Sequence, residues 1–167
     1  ETSWLDWQLN AEDAAFLAFV RQVIALRRSH PIFRRRSFFE PHRLRSGDKN
    51  ILWFTPEGVE MSEAEWNEGF AHCLGMYLAG DAIGEVDACG APIVDSYFLL
   101  LINAYHEAVP FQIPGFHGRA RWKVVVDTSE PITEELGTNG KTFACGSIIS
   151  LHGRSLTLLQ QSLRKAG

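Results

Sequence analysis

Between Ala11 and Ser29 the apolar residues recur with the period of an α-helix, and after Pro31 that period shortens to two. Asn10 stands where a helix cap is needed, with Asp13 three residues on, suited to the positive end of the helix. His30-Pro31 ends the run, because the residue before a proline is pushed out of the helical region. At 100° per residue, Phe16, Leu17, Phe19, Val20, Val23, Ile24 and Leu26 fill about half the circumference. Much of the other half is alanine, at positions 14, 15, 18 and 25. A helix resting on one sheet keeps a polar back. This one predicts two contacts: a large apolar surface on its bulky side and a close neighbour on its alanine side.

The later pattern predicts short strands. Ile51 to Phe54 is one, closed by the proline-led turn Thr55-Pro56-Glu57-Gly58. Leu74 to Leu78 alternates and ends at Gly80-Asp81, while Tyr97 to Ile102 is solidly apolar, as a central strand would be. Val109 to Ile113 carries Pro110 and reads as an edge strand. Trp122, Val124 and Val126 alternate with Lys123 and Val125, which places the first three on one face. Ile148–Leu151 and Ser155–Leu159 flank His152-Gly153-Arg154 and predict a hairpin. Ser62-Glu63-Ala64-Glu65 is a capping box that starts one helical turn carrying Trp66. Successive strands without intervening helices predict antiparallel sheets packed face to face. The expected fold is mainly β: an antiparallel β-sandwich over residues 31–167, preceded by one long helix. Residues 1–30, with two apolar faces on that helix, read as the tail of a preceding domain.

Composition narrows the function classes. The 167 residues are 46% apolar, enough for a core without disulfides or metal. A net charge of −4 does not suggest a nucleic-acid partner, and no apolar run is long enough to span a membrane. Cys73, Cys89 and Cys145 form no CxxC pair and suit free thiols in a reducing, cytoplasmic setting, with Cys73 a small buried hydrophobe. The first residue is Glu1 rather than Met, which suggests a piece of a longer chain.

Candidate chemistry is sparse. The six histidines form no HxH, HExxH or zinc spacing, and no GxSxG elbow or Gly-rich phosphate fingerprint occurs. No cofactor or metal is expected. The arginines at 34–36, with Arg27, Arg28, Arg43 and Arg45, suit a helix C-terminus and ion pairs across a domain seam better than phosphate binding. Arg27 falls inside the apolar arc and would need a partner if buried. Sugar hydrolysis needs two converging carboxylates, but Asp81, Asp87 and Asp95 occupy a loop and Glu107 a turn, where acids cap backbone or face water. Trp4, Asp6 and Trp7 form the best ligand-facing element: indoles stack on sugar faces and a carboxylate accepts their hydroxyls, or else both indoles wedge the segment against a parent domain. Trp53, Trp66 and Trp122 read as core.

The order of several segments is more specific. Thr2-Ser3-Trp4-Leu5-Asp6-Trp7, Leu26-Arg27-Arg28-Ser29-His30-Pro31 and Phe33-Arg34-Arg35-Arg36-Ser37-Phe38-Phe39 are followed by Trp53-Phe54-Thr55-Pro56-Glu57-Gly58 and Glu60-Met61. Leu74-Gly75, Gly80-Asp81, Phe98-Leu99-Leu100-Leu101-Ile102-Asn103-Ala104, Trp122, Val126-Asp127-Thr128 and Arg154-Ser155-Leu156 complete the series. Together they resemble the closing part of bacterial glycogen debranching enzymes of the isoamylase type, in the alpha-amylase superfamily. Local departures are His72-Cys73, where the family often has Arg-Ser, and Val94-Asp95, where it often has paired acids.

The resemblance implies a parent (β/α)₈ barrel whose three catalytic carboxylates hydrolyse α-1,6 branch linkages of glycogen-like glucans, all upstream of this sequence. It implies no catalytic residue here, and none of the three maps onto Asp6, Asp81, Asp87 or Asp95. Ala11–Ser29 would be the last barrel helix, and Trp4, Asp6 and Trp7 would lie near the substrate mouth. The expected partners are the upstream barrel and, for the parent, a branched α-glucan. An isolated chain would self-associate through helix 11–29 or fold it back onto the sandwich. Two other classes are a sandwich that itself binds α-glucan through exposed aromatics and a free-standing enzyme.

Overall fold

A computed structural model describes residues 7–36, 49–68, 72–115, 121–130 and 140–162. Helix α1 runs Ala11–Ser29, with Asn10 Oδ1 accepting from the Asp13 N–H at 2.9 Å. A 3₁₀ turn at Pro31–Arg34 follows; proline at its first position lacks the N–H that a helix start leaves unpaired. The sequence pattern did not signal this turn, since four residues are too few for a period.

Strand β1 (Ile51–Phe54) pairs with β2 (Cys73–Leu78), and β2 with β3 (Tyr97–Asn103). Between β1 and β2 the short helix α2 (Glu63–Trp66) carries the expected capping box, made by Ser62 and Glu65. The remaining strands are β4 (Val109–Gln112), β5 (Arg121–Asp127), β6 (Thr142–Ala144), β7 (Ile148–Leu151) and β8 (Ser155–Gln161). A six-stranded sheet has the order β1-β2-β3-β8-β5-β6, and β4 and β7 make a second sheet of two. All pairings are antiparallel. The expectation of a β-sandwich behind one long helix holds, and β3 is central as its unbroken apolar run required.

The large sheet is apolar on both faces. Its inner face, with Leu99, Leu101, Trp122, Val124 and Leu159, packs against Phe111, Ile149 and Leu151 of the small sheet. Gly75 is needed here, because a Cβ would stand 2.7 Å from Phe111 Cζ. The outer face gathers Leu78, Phe98, Val126 and Leu158, covered by Ile32 and Phe33 of the 3₁₀ turn and by Phe19 and Leu26 of α1.

Three expectations need correction. The predicted hairpin between β7 and β8 does not form: β7 pairs with β4, and β8 with β3 and β5. The 152–154 turn carries the chain from one sheet to the other. Any Cβ at Gly153 would collide with the His106 carbonyl, and Arg154 takes the left-handed φ of 54°. Second, Trp122, Val124 and Val126 do not share a face. A bulge lies between Val124 and Val126, which pair with Leu159 and Leu158, so Val126 turns to the outer side. Third, Trp66 is not core but 49% exposed, its ring edge-on to the half-buried Trp53 at 5.2 Å between centroids. Trp122 is fully buried as expected.

Candidate functional site

Two polar arrangements among the described residues bear on function. One joins α1 to the sandwich. Asp95, expected to cap a turn or face water, is buried. Its Oδ1 lies 2.7 Å from His30 Nδ1 and accepts from the Ser96 N–H at 2.7 Å; its Oδ2 accepts from the Ile32 N–H at 3.1 Å. Gln160 Nε2 donates to Ser96 Oγ at 3.0 Å and stands 3.4 Å from His30 Nε2. The tautomer with its proton on Nδ1 satisfies both imidazole contacts. The His30 and Phe33 rings meet Phe98 at centroid distances of 4.8 and 4.6 Å. A carboxylate that satisfies a backbone N–H of the 3₁₀ turn and the imidazole before it fixes where α1 leaves the sheet. Sequence reasoning missed this, because Asp95 and His30 are far apart in the chain and no local spacing links them.

The helix itself is thinly covered. None of its residues is buried; Phe16 is 56% exposed and Ile24 49%. Phe16, Val20, Val23 and Ile24 lie side by side on the helical wheel, next to the sheet-facing line of Phe19 and Leu26. Arg27 lies along this stripe and is exposed, so it carries no burial cost.

The other part is a groove of about 440 Å³ at the end of the sandwich. Thr55 and Glu57 come from the turn after β1, Glu65 and Glu68 from α2 and its end, and His72 from the start of β2; Tyr105 follows β3. The His72 and Tyr105 rings are parallel to within 6°, centroids 5.9 Å apart. Tyr105 is held firmly from below. The fully buried Asn103 accepts from the Tyr105 N–H at 3.0 Å, and its amide donates to the carbonyls of Glu107, Leu151 and His152. The Arg154 N–H donates to the Tyr105 carbonyl at 2.8 Å. Glu65 accepts from the Ser62 N–H and hydroxyl, both at 2.7 Å, and these bonds hold its carboxyl below the usual range. Cys73 lies at the groove floor; burial first, then the Glu57 charge, push its thiol up to about 11, which makes it an inert filler rather than a nucleophile.

Of the residues singled out in the sequence, Trp4 and Asp6 lie outside the described residues, and Trp7 is 80% exposed ahead of α1. The loop acids do not pool. Asp81 accepts from the Tyr97 hydroxyl at 2.9 Å, Asp87 caps the N–H groups of Cys89 and Ala91, and Asp95 is committed to His30. Among the described residues no three His, Cys, Asp or Glu side chains are placed to hold a metal, and no helix is long and apolar enough to cross a membrane.

Residues 50–160 match the family model described as "Isoamylase, C-terminal". The chain belongs to the isoamylase C-terminal family. As an isoamylase C-terminal domain it is 39% identical over 165 residues to the glycogen operon protein GlgX homolog of Mycobacterium tuberculosis, covering 98% of this chain and 22% of that protein. It is 26% identical over 128 residues to the isoamylase of Flavobacterium sp, covering 76% of this chain and 15% of the relative. It is 30% identical over 77 residues to the glycogen debranching enzyme of Yersinia pseudotuberculosis, covering 46% and 11% respectively. The chain thus spans about a fifth of the length of the first of these relatives. The likeness to the closing part of isoamylase-type debranching enzymes is supported by family and relatives alike.

Proposed function

We propose that this chain serves as the non-catalytic C-terminal domain of a glycoside hydrolase that cleaves α-1,6 branch linkages in glycogen-like glucans. In this reading residues 1–30 belong to the catalytic barrel's outer layer and residues 31–167 support it, with Trp4, Asp6 and Trp7 near the substrate mouth. The observation that carries the proposal is α1. One line of its side chains is seated on the sandwich, while Phe16, Val23 and Ile24 remain exposed beside it. A soluble domain gains nothing from such a stripe, and a barrel strand layer would cover it. The Asp95–His30 link then sets the angle at which sandwich and barrel meet. The groups that polarise and attack the glycosidic bond belong to the barrel, and this chain's own residues bury, orient and brace.

The test is twofold. The purified 167-residue chain incubated with glycogen releases no reducing ends, and analytical ultracentrifugation shows concentration-dependent association through the uncovered stripe. Debranching by this chain alone would overturn the proposal.

A further inference from the structure

The groove beside Tyr105 opens at the end of the sandwich, and no residue of α1, which lies against the outer face of the sheet, lines it. We infer that it binds a stretch of linear α-glucan as a non-catalytic subsite, with a sugar ring laid against the exposed part of the Tyr105–His72 stack and hydroxyls bonded to Glu57, Glu68 and Thr55. That the sugar is α-linked rests on the function proposed above; that it is a neutral carbohydrate rests on the groove alone.

The groove's chemistry selects this ligand. Tyr105, its ring stacked parallel on His72 and with the His106 ring 4.2 Å away, keeps 36% of its surface exposed, and apolar area of this kind covers the apolar face of a pyranose. Carboxylates accept hydrogen bonds and donate none when ionised, so they suit a ligand rich in hydroxyl donors. Glu65 stays ionised because Ser62 holds its charged form. Among the described residues no lysine or arginine lines the groove, so its three carboxylates disfavour phosphates, nucleic acids and acidic sugars. Pre-organisation is the second argument. Tyr105 sits on an exposed loop, yet its N–H and carbonyl are both tied, to Asn103 and Arg154, and the side chain of Asn103 makes four hydrogen bonds around this loop. A loop backbone held in place before binding loses little freedom when a ligand arrives. In a longer enzyme a second foothold of this kind raises the effective concentration of polymer at the barrel without taking part in bond cleavage.

Isothermal titration calorimetry of the whole chain with maltoheptaose tests the inference. The expected result is saturable binding with a dissociation constant on the order of millimolar. Tyr105→Ala weakens it about tenfold or more, the ~1.4 kcal/mol of one aromatic contact, while Tyr105→Phe keeps most of it. Melting curves of both variants match the unmodified chain, because the ring belongs to neither hydrophobic core. Unchanged affinity in Tyr105→Ala, or no binding of maltoheptaose at tens of millimolar, overturns the subsite. Equal binding of cellohexaose overturns the α-glucan assignment and leaves a carbohydrate groove. Binding of a lysine-rich peptide in place of either sugar overturns the carbohydrate assignment. None of these outcomes touches the bracing role, which the activity and association of the chain test separately.

Discussion

The two faces of the six-stranded sheet are covered in different ways. The inner face meets strands β4 and β7, and Leu99, Leu101, Phe111, Trp122 and Leu159 are sealed from solvent there. The outer face meets a short 3₁₀ turn and one helix, and the helix contributes no fully buried residue. Both faces are built from aliphatic and aromatic side chains, so hydrophobicity does not separate them. What separates them is whether the chain brings its own lid. The inner core is complete within these residues, whereas the outer one relies on a polar pin, Asp95 with His30 and Ile32, to hold a lid that is itself half bare.

The contrast can be broken most forcefully from the inside. Phe111→Ala removes a ring from the closed core and lowers stability by about 3–5 kcal/mol, read from urea or thermal unfolding. If the loss is under about 1 kcal/mol, the inner face is not the closed core described here. Asp95→Ala strikes the outer side. It leaves the Ile32 N–H buried without its acceptor, costing about 1–3 kcal/mol, and amide hydrogen exchange in α1 rises while β3 and β8 keep their protection. Equal loss of protection in sheet and helix would show that the pin supports the whole fold rather than the lid. The smallest effect on stability is expected from Phe16→Gln with Ile24→Gln. Within the isolated chain these replacements stay within about 0.5 kcal/mol, as exposed sites do. Concentration-dependent association disappears in ultracentrifugation. A stable, still-associating double variant would move the contact surface elsewhere.

Much of the fold was legible because it is written in local chemistry. The limits of α1 follow from Asn10 and His30-Pro31, and the α2 turn from its capping box. The strands announce themselves by period and by the turns that end them. What escaped depends on partners far along the chain. The 152–154 turn satisfies every local criterion for a hairpin, yet the strands on either side find better apolar partners in different sheets. The bulge at Val125 leaves the spacing of Trp122, Val124 and Val126 intact while rotating the last of them away. β6, three residues long, is shorter than any periodicity can reveal. At the sites the pattern is the same. Cys73 was foreseen as a filler from its residue type, but the Asp95–His30 pair and the Tyr105 groove are assembled by long-range pairing. A histidine at a helix end with a loop aspartate is too common a combination to stand out, and Tyr105 carries no motif. Trp66 was misjudged because a tryptophan on a short amphipathic turn reads as an anchor, whereas α2 rides on the outside of β1.

The strand order has a consequence for how the domain comes into being. β8 is the last of the eight strands among the described residues and yet lies between β3 and β5, bonded to both. A nascent polypeptide therefore cannot lay the sheet down from one side to the other. Until Ser155–Gln161 has left the ribosome, β3 and β5 each present a bare rim that can recruit a foreign strand. A premature stop shortly before position 155 would remove only a small fraction of the mass but divide the sheet into two halves, so such truncations should be found in inclusion bodies rather than as slightly weakened domains.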